Sequence, residues 1–365
     1  MATNKNQHFV PRCYLRQFTV DGTDRAINLY NIDRDRFIEG APVKNQCSGD
    51  YFYGKDPLLE NAIQIVERSY GAAVREILRP SYCLTDEHRS LLKLFWLLQH
   101  LRTEAASKRA VEMTNSMASL ADPQNTEFRM QIREAVQVAM HTFVDLMEIV
   151  SDLKVCLMRN RSTAPFVTSD DPAVLTNRWH LQDPKRTGLS FGLGSAGTVL
   201  LLPLSPSVLC IAYDGDMHSI PHRDGWVDLR HTQDADALNQ HQYLNCRANI
   251  FVRDKVHFEV VRNAYLKVSE LRPVARHRTH YAVLDKTIGE HSRYVVVDPA
   301  TAGPHQKALI HSQAVHVSPT SWPRQLTWRS NACVFYNGTG AGYVRKAFAH
   351  RRGTAPFKKL RACSA

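Results

Sequence analysis

The densest run of distinctive residue types lies near the start of the chain, where residues 6–18 have the sequence NQHFVPRCYLRQF. Pro11 restricts its own φ and holds Val10 in an extended conformation. We therefore expect His8 to lie on a short extended segment, followed by a turn or short helix with its apolar residues on one face. A stiff backbone of this kind presents the His8 imidazole as a base, a metal ligand or a hydrogen-bond donor. The alternative is a half-buried histidine with satisfied hydrogen bonds and a purely structural role.

Three stretches after this segment show helical periodicity. The first begins at Pro57 and ends before Pro80, a residue that cannot continue a helix. The second begins after Thr85, which is a candidate capping residue. The third is expected over about residues 123–158, where apolar residues recur at three- and four-residue spacing. Three long helices in succession predict a helical subdomain over about residues 56–160.

Beyond residue 160 the pattern changes to short apolar runs separated by polar turns. The predicted strands are 165–167, 173–175, 198–204, 208–213 and 250–252, and residues 234–249 are predicted to form a helix. Because a Ser-Pro-Ser turn joins the third and fourth of these runs, they are expected to form a hairpin. Helices segregated from antiparallel strands predict the α+β class, with a mixed β part over about residues 161–260. Together these parts predict one domain over residues 1–260.

The positive charge of the chain is concentrated near its C-terminal end. The formal net charge is +11, but residues 299–365 contain ten Lys or Arg and no Asp or Glu, leaving 36 basic and 35 acidic residues before them. A local block of like charge is typical of a solvated or disordered interaction segment. We therefore predict a basic, partly disordered C-terminal extension over residues 261–365. Its segment 299–365 is a candidate contact for nucleic acid, whose phosphates attract such charge.

Other features of the composition argue against several protein classes. No apolar run approaches the length needed to cross a bilayer, and the N-terminal residues lack the pattern of a secretory signal, so no membrane partner is expected. The eight cysteines are widely spaced and form no Cys-x-x-Cys pair, which argues against a structural zinc site or a disulfide framework. Reduced thiols in a cytoplasmic protein are the simplest interpretation.

Arg102 occupies an unfavourable position in this pattern, because by helical angle it falls within the apolar stripe of the second helix. A buried guanidinium is costly unless an anion meets it, so Arg102 requires a carboxylate. Asp170, at the end of a predicted strand and before a proline-containing turn, is one candidate for that carboxylate. Glu67, on the edge of the apolar stripe of the first helix, is another.

Four ordered motifs resemble a widespread, mainly bacterial family, the domain of unknown function 4238. The motifs are His-Phe-Val-Pro-x-x-Tyr-Leu-Arg-x-Phe at 8–18, Tyr-Phe-Tyr at 51–53 followed by Glu60 and Glu67, Leu-Leu-Gln-His-Leu-Arg-Thr at 97–103, and Phe-Val-Thr-Ser-Asp-Asp-Pro-Ala-Val at 166–174 with Leu-Pro-Leu-Ser-Pro at 202–206. The resemblance covers roughly residues 4–255. A family of unknown function implies no activity, so the resemblance supplies candidate positions only.

The residue chemistry and the resemblance together predict one polar site. The residues expected to converge there are His8, Glu60, Glu67, Gln99, Arg102 and Asp170. Among them His8, Arg102 and Asp170 are the leading catalytic candidates, with Glu67 and Gln99 behind them, and His8 with Asp170 is a candidate pair of ligands for a divalent metal. The alternative is structural: Arg102 locks Glu67 or Asp170 in a buried pair, and residues 168–170 form a turn that closes a hairpin.

The reaction favoured by such a site is metal-assisted hydrolysis of a phosphodiester, in nucleic acid or another substrate. Carboxylates, histidine and arginine suit the stabilisation of that transition state. The usual nuclease patterns are absent, since the chain has neither an Asp…Glu-x-Lys core nor a His-Asn-His finger. The competing prediction is a non-catalytic module that binds nucleic acid or protein through its basic C-terminal segment.

Overall fold

The structure is a computed structural model that describes residues 5–55, 57–122, 129–186, 189–289, 291–303, 307–349 and 356–362. Its helices and its mainly antiparallel sheets occupy separate regions of the chain, which confirms the α+β class. None of the helices in these ranges is long and apolar enough to cross a membrane. The seven cysteines within them are all unpaired.

The N-terminal segment contains the elements β1 (Asn6–His8), α1 (Arg12–Leu15), β2 (Ala26–Asn31), β3 (Arg36–Pro42) and β4 (Ser48–Asp50). Strand β1 pairs antiparallel with β4, so His8 lies on an extended segment as expected. Pro11 is extended at φ −71° and ψ 147° and precedes α1 as its N-cap. Because Tyr14 is fully buried and its hydroxyl lies 2.6 Å from Thr168 Oγ1, this segment is anchored to the later β region.

The helical part contains α2 (Pro57–Ile77), α3 (Asp86–Arg102), α4 (Glu104–Ala121) and α5 (Ile132–Leu146). The first two predicted helices are confirmed, and Thr85 caps α3 by accepting a hydrogen bond from the His88 N–H at 3.2 Å. The predicted third helix, 123–158, is wrong in extent. Its first six residues lie outside the described ranges, and its last five belong to the strand Lys154–Asn160.

The count of three long helices therefore needs correction, since the described residues contain four. Helix α4 was missed because its Ala-, Ser- and Thr-rich sequence carries only a weak apolar stripe, and its buried residues are just Ala105 and Ser107. The prediction of helix at Lys154–Asn160 fails because the core of this strand is a continuous apolar run. Such a run does not distinguish a buried strand from a buried helix by periodicity.

The β part contains the elements β5 (Lys154–Asn160), β6 (Thr168–Ser169), β7 (Val174–Thr176), α6 (Arg178–Gln182), β8 (Val199–Ser205), β9 (Val208–Tyr213), β10 (His218–Ser219), β11 (Trp226–Leu229), α7 (Thr232–Asn245) and β12 (Asn249–Val252). The larger sheet has the order β11-β5-β9-β8-β7, and it includes the predicted β8–β9 hairpin. Its β11–β5 pair is parallel, so the region is not wholly antiparallel. The second sheet, β3-β2-β12-β6, joins the N-terminal segment to this part.

The region after β12 contains α8 (Phe258–Leu266), β13 (His277–Ile288), β14 (His291–Val296), β15 (Ala308–Ala314), β16 (Thr327–Trp328), β17 (Cys333–Tyr336), α9 (Lys346–Ala349) and β18 (Lys358–Arg361). The sheet β14-β13-β15 packs on α4, and β16 pairs with β10. Arg345, almost completely buried, forms an ion pair with Asp152. The expected separate basic extension is therefore not confirmed, and the boundary at residue 260 stays a prediction.

Candidate functional site

A pocket of about 330 Å³ lies between strand β1 and helix α2. Its lining includes Gln7, His8, Cys13, Tyr53, Glu60 and Glu67, with Arg12 and Arg68 at the same pocket. Three of the six residues expected to converge, His8, Glu60 and Glu67, thus line a single pocket. We call it the N-terminal pocket.

Gln7 holds the strand that carries His8. Its side-chain amide donates to the Gly54 carbonyl at 3.0 Å and to Glu60 Oε2 at 3.4 Å, while its Oε1 accepts from the Tyr53 backbone N–H at 2.7 Å. The Tyr53 hydroxyl in turn donates to the His8 carbonyl at 3.1 Å. Hydrogen bonds therefore fix the backbone of His8 at two points, the Gln7 side chain before it and its own carbonyl group. Sequence reasoning missed Gln7, although it is an almost fully buried polar residue next to the candidate histidine.

Arg102 and Gln99 hold the next residue, Phe9. Gln99 Nε2 donates to the Phe9 carbonyl at 2.7 Å and Arg102 Nε donates to the same oxygen at 3.2 Å. Arg102 Nη1 lies 2.8 Å from Glu67 Oε1, so Glu67 is the carboxylate that this buried arginine requires. Both α3 side chains are fully buried, so they position the segment after His8 from the protein interior.

The His8 imidazole is held in its neutral form. Burial lowers its pKa below the usual 6.5, and the charges of Arg12 and Arg102 lower it further, while a hydrogen bond with the Val43 backbone opposes the shift. Its Nε2 atom is buried and has no hydrogen-bond partner among the described residues. A neutral ring has one nitrogen that can accept a proton, and Nε2 is the nitrogen left without a partner.

Cys13 is the one thiol that lines this pocket, and sequence reasoning did not single it out. Burial raises its pKa to about 12, and the nearby Glu67 carboxylate adds to the increase. Its sulfur lies 3.6 Å from the Glu67 carbonyl, as a weak donor. A thiol with this pKa stays protonated at neutral pH and is a poor nucleophile. The His8 imidazole and the carboxylates of Glu60 and Glu67 are therefore the candidate reactive groups of the pocket.

Asp170 is not brought into the N-terminal pocket. Its Oδ1 accepts from the Arg247 N–H at 2.7 Å, and its Oδ2 accepts from the N–H groups of Ala248 and Asn249 at 2.9 Å each. Burial raises its pKa to about 6, although the three N–H donors act in the opposite direction. Asp170 thus fixes the turn that leads into β12, which is a structural role.

The predicted metal ligands, His8 and Asp170, are not brought together. His8 lines the N-terminal pocket and Asp170 does not, and both oxygens of Asp170 already accept backbone N–H groups. Within the described residues no group of three or more His, Cys, Asp or Glu side chains is placed to hold a metal. We therefore derive no chemical step through a metal.

The described basic residues between 299 and 362 differ in their surroundings. Arg345 pairs with Asp152 and Arg324 pairs with Asp234, so these two serve the fold. By contrast, strand β18, which pairs antiparallel with β17, presents Lys358, Lys359 and Arg361 as exposed side chains. Lys307, Arg329 and Lys346 are exposed as well, so β18 carries three of the exposed basic side chains in the described part of this region.

Comparison with protein families gives one match. The model of the family described as "Protein of unknown function (DUF4238)" matches residues 6–256, which is more than half of the chain. No curated protein and no solved structure matches the chain in the corresponding comparisons. The matched range contains the N-terminal pocket together with Arg102, Gln99 and Asp170. The chain therefore belongs to the DUF4238 family.

Proposed function

We propose that the N-terminal pocket is a hydrolytic site in which His8 acts as the general base that activates a water molecule. The observation that carries the proposal is the neutral His8 ring, whose buried Nε2 has no hydrogen-bond partner on the wall of a pocket. A buried polar atom left without a partner in a rigid site is where a water molecule or substrate group would bind. A base with a pKa below neutrality is also in its active, unprotonated form at pH 7.

The substrate class that best suits the pocket is a phosphodiester, with nucleic acid as the leading example. Arg68 lines the pocket and is hydrogen-bonded to Gln64, but it is in none of the ion pairs found among the described residues. An arginine of this kind can bind a phosphate oxygen through two of its N–H groups. Arg12 lies at the same pocket and pairs with the partly exposed Asp24, so a phosphate would compete with that carboxylate.

Arg102 and Gln99 act as positioning residues in this proposal. Their donors converge on the Phe9 carbonyl and hold the backbone that presents the His8 ring. Glu67 balances the charge of Arg102 from the side of the pocket. Replacement of Gln99 should lower the rate by displacing His8, while the pH at which the rate is half-maximal stays that of the His8 base. Replacement of Arg102 by a neutral residue should lower the rate and also raise that pH, because the charge of Arg102 lowers the pKa of His8.

The test is hydrolysis of bis(p-nitrophenyl) phosphate and of single-stranded and duplex oligonucleotides, with and without EDTA. We expect His8→Gln to lower kcat about a hundredfold or more. The matched control is His222→Gln, at an exposed histidine outside the pocket. The rate of the wild type should rise with pH and reach half its maximum below pH 6.5, and Arg68→Gln should raise KM. Equal rates for His8→Gln and His222→Gln would rule out His8 as the base, and loss of activity with EDTA would show that a metal assists.

A second candidate function is non-catalytic binding of nucleic acid, and the exposed basic strand β18 favours it. Affinity from such contacts falls steeply with salt, by a slope of about 0.9 in log units for each phosphate contact on duplex DNA. Replacement of Lys358, Lys359 and Arg361 by Gln should therefore weaken oligonucleotide binding and flatten its salt dependence. The His8→Gln variant should bind as the wild type does, which separates this function from the first.

A further inference from the structure

A second, larger cavity of about 440 Å³ lies between helices α4 and α5 and the ends of strands β13 and β15. It is distinct from the N-terminal pocket and shares none of its lining residues. A volume of this size is within the range of small-molecule sites. We call it the α4–α5 cavity.

The walls of the α4–α5 cavity are mainly apolar. Helix α4 contributes Ala106 and Ala110, and helix α5 contributes Ala135 and Ala139. Small side chains on two facing helices leave space that larger apolar residues would fill. The rings of Phe191 and His316, stacked with their centroids 3.5 Å apart, form another part of the wall. The body of a ligand that fills this space must therefore be apolar.

One end of the cavity is cationic, because both Arg109 and Arg276 line it. Arg109 Nη1 lies 2.6 Å from Oδ2 of the completely buried Asp171, which fixes the arginine in place. Asn245, also on the lining, donates to the Asp171 carbonyl at 2.6 Å, and Arg276 Nη2 donates to the neighbouring Leu244 carbonyl at 2.8 Å. These contacts run continuously from one arginine to the other, so the two guanidinium groups share one end of the cavity.

The charges at this end do not balance. Asp171 is the partner of Arg109, and no ion pair within the described part of the chain includes Arg276. Burial lowers the pKa of Arg276, and the charges of Arg272 and Arg109 lower it further. Arg109, Arg272 and Arg276 thus act together near one carboxylate, Asp171, which leaves an excess of positive charge at this end. A negatively charged group on a ligand would offset that excess.

We infer that the α4–α5 cavity binds an amphiphilic carboxylate, a molecule with an apolar body and one carboxylate head. The body lies against the alanines of α4 and α5, and the head meets Arg276 beside the Arg109–Asp171 pair. A planar carboxylate matches the two parallel N–H donors of a guanidinium. This inference is independent of the function proposed for the N-terminal pocket.

The experiment is calorimetric titration of the full chain with octanoate and, separately, with 1-octanol, which has the same apolar chain without the charge. We expect saturable binding of octanoate and at least about tenfold weaker binding of octanol, as a charge-assisted hydrogen bond predicts. Arg276→Gln should reduce octanoate affinity to that of octanol and leave octanol unchanged. Arg276→Lys should keep part of the preference, since it keeps the charge but loses the paired donors.

Two further variants control for the position of the ligand. Ala139→Leu should weaken both ligands because it fills the apolar part, with circular dichroism confirming that the variant is folded. Lys286→Gln removes an exposed positive charge from β13 and should change neither affinity. The inference is overturned if octanoate does not bind the wild type, or if Arg276→Gln keeps the preference for octanoate over octanol. The His8→Gln variant should bind octanoate normally, which keeps this test separate from that of the N-terminal pocket.

Discussion

Arg102 and Glu67 form an ion pair in which the arginine side chain is fully buried and the glutamate side chain is 22% exposed, with Nη1 and Oε1 2.8 Å apart. Burial alone would lower the pKa of Arg102, but Tyr53 and Glu67 hold that pKa above its usual value. Glu67, which lines the N-terminal pocket, therefore stabilises the charged form of Arg102. Any change that removes the carboxylate leaves a buried cation behind.

Glu67→Gln should lower the free energy of unfolding by about 3 kcal/mol, because breaking a buried pair leaves an uncompensated charge. Urea unfolding of the wild type and the variant measures the change. Glu60→Gln is the matched control on the same helix and in the same pocket. Glu60 accepts a 3.4 Å hydrogen bond from Gln7, and the substitution affects that bond. We expect that control to cost less than about 1 kcal/mol. Equal losses for the two variants would show that Arg102 does not depend on Glu67.

Asp170 should make the stability depend on pH in a particular direction. Burial raises its folded-state pKa to about 6, above the usual 3.8, so between these values the folded protein holds a proton that the unfolded chain has lost. Its contribution is therefore fully present below pH 3.8 and is lost as the pH rises through 6. We expect the stability difference between wild type and Asp170→Asn to shrink over that interval. A difference that is constant from pH 4 to pH 6.5 in urea unfolding would contradict the assignment.

Gly225 is a position where an added side chain should be severely destabilising. Its φ is +82°, and an added Cβ would lie 2.5 Å from Leu84 Cβ. We expect Gly225→Ala to cost about 3 kcal/mol, from the left-handed backbone and the steric overlap together. Gly22 has a similar φ of +72° but open space around it, so Gly22→Ala should cost only about 1 kcal/mol. Thermal unfolding of both variants measures the steric part as the difference between them.

Arg345 should be essential for stability although it lies in the region expected to be a basic extension. It is 2% exposed, and its Nε lies 2.9 Å from Asp152 Oδ2. Arg345→Met should cost about 3 kcal/mol because Asp152 loses its partner and the carbonyls bound by the guanidinium lose their donors. Lys359→Met, at an exposed basic residue on β18, should stay within about 0.5 kcal/mol of the wild type. Similar stabilities for the two variants would support a detached extension after all.

Local chemistry made several of these features predictable from the sequence. The Thr85 cap, the helix between Pro57 and Pro80, and the β8–β9 hairpin follow from neighbouring residues, and the structure confirms them. The buried position of Arg102 also followed from the apolar stripe of its helix. The pairing with Glu67 was one of two alternatives, since periodicity does not show which carboxylate lies opposite.

The features that were missed depend on residues far away in the sequence. The donors that occupy Asp170 are 77 to 79 positions later, so no local pattern could show that its carboxylate was already used. Helix α4 was missed because it is stabilised by packing against other elements rather than by a strong apolar stripe. The cationic end of the α4–α5 cavity combines Arg109 of α4 with Arg276, which immediately precedes β13, and the two are more than 150 positions apart. Neither residue belongs to a motif that the sequence shows.

The place of β12 in its sheet has a consequence for how the protein is made. Strand β2 pairs with β12, and Asn31 and Asn249 on these strands are 218 positions apart and joined by a side-chain hydrogen bond. On the ribosome, β2 therefore emerges long before its partner strand exists. Contacts over such separations form slowly, and unpaired strand edges invite aggregation. We expect the nascent N-terminal segment to need protection by chaperones until about residue 252 has been synthesised, and released fragments that end before it to be insoluble.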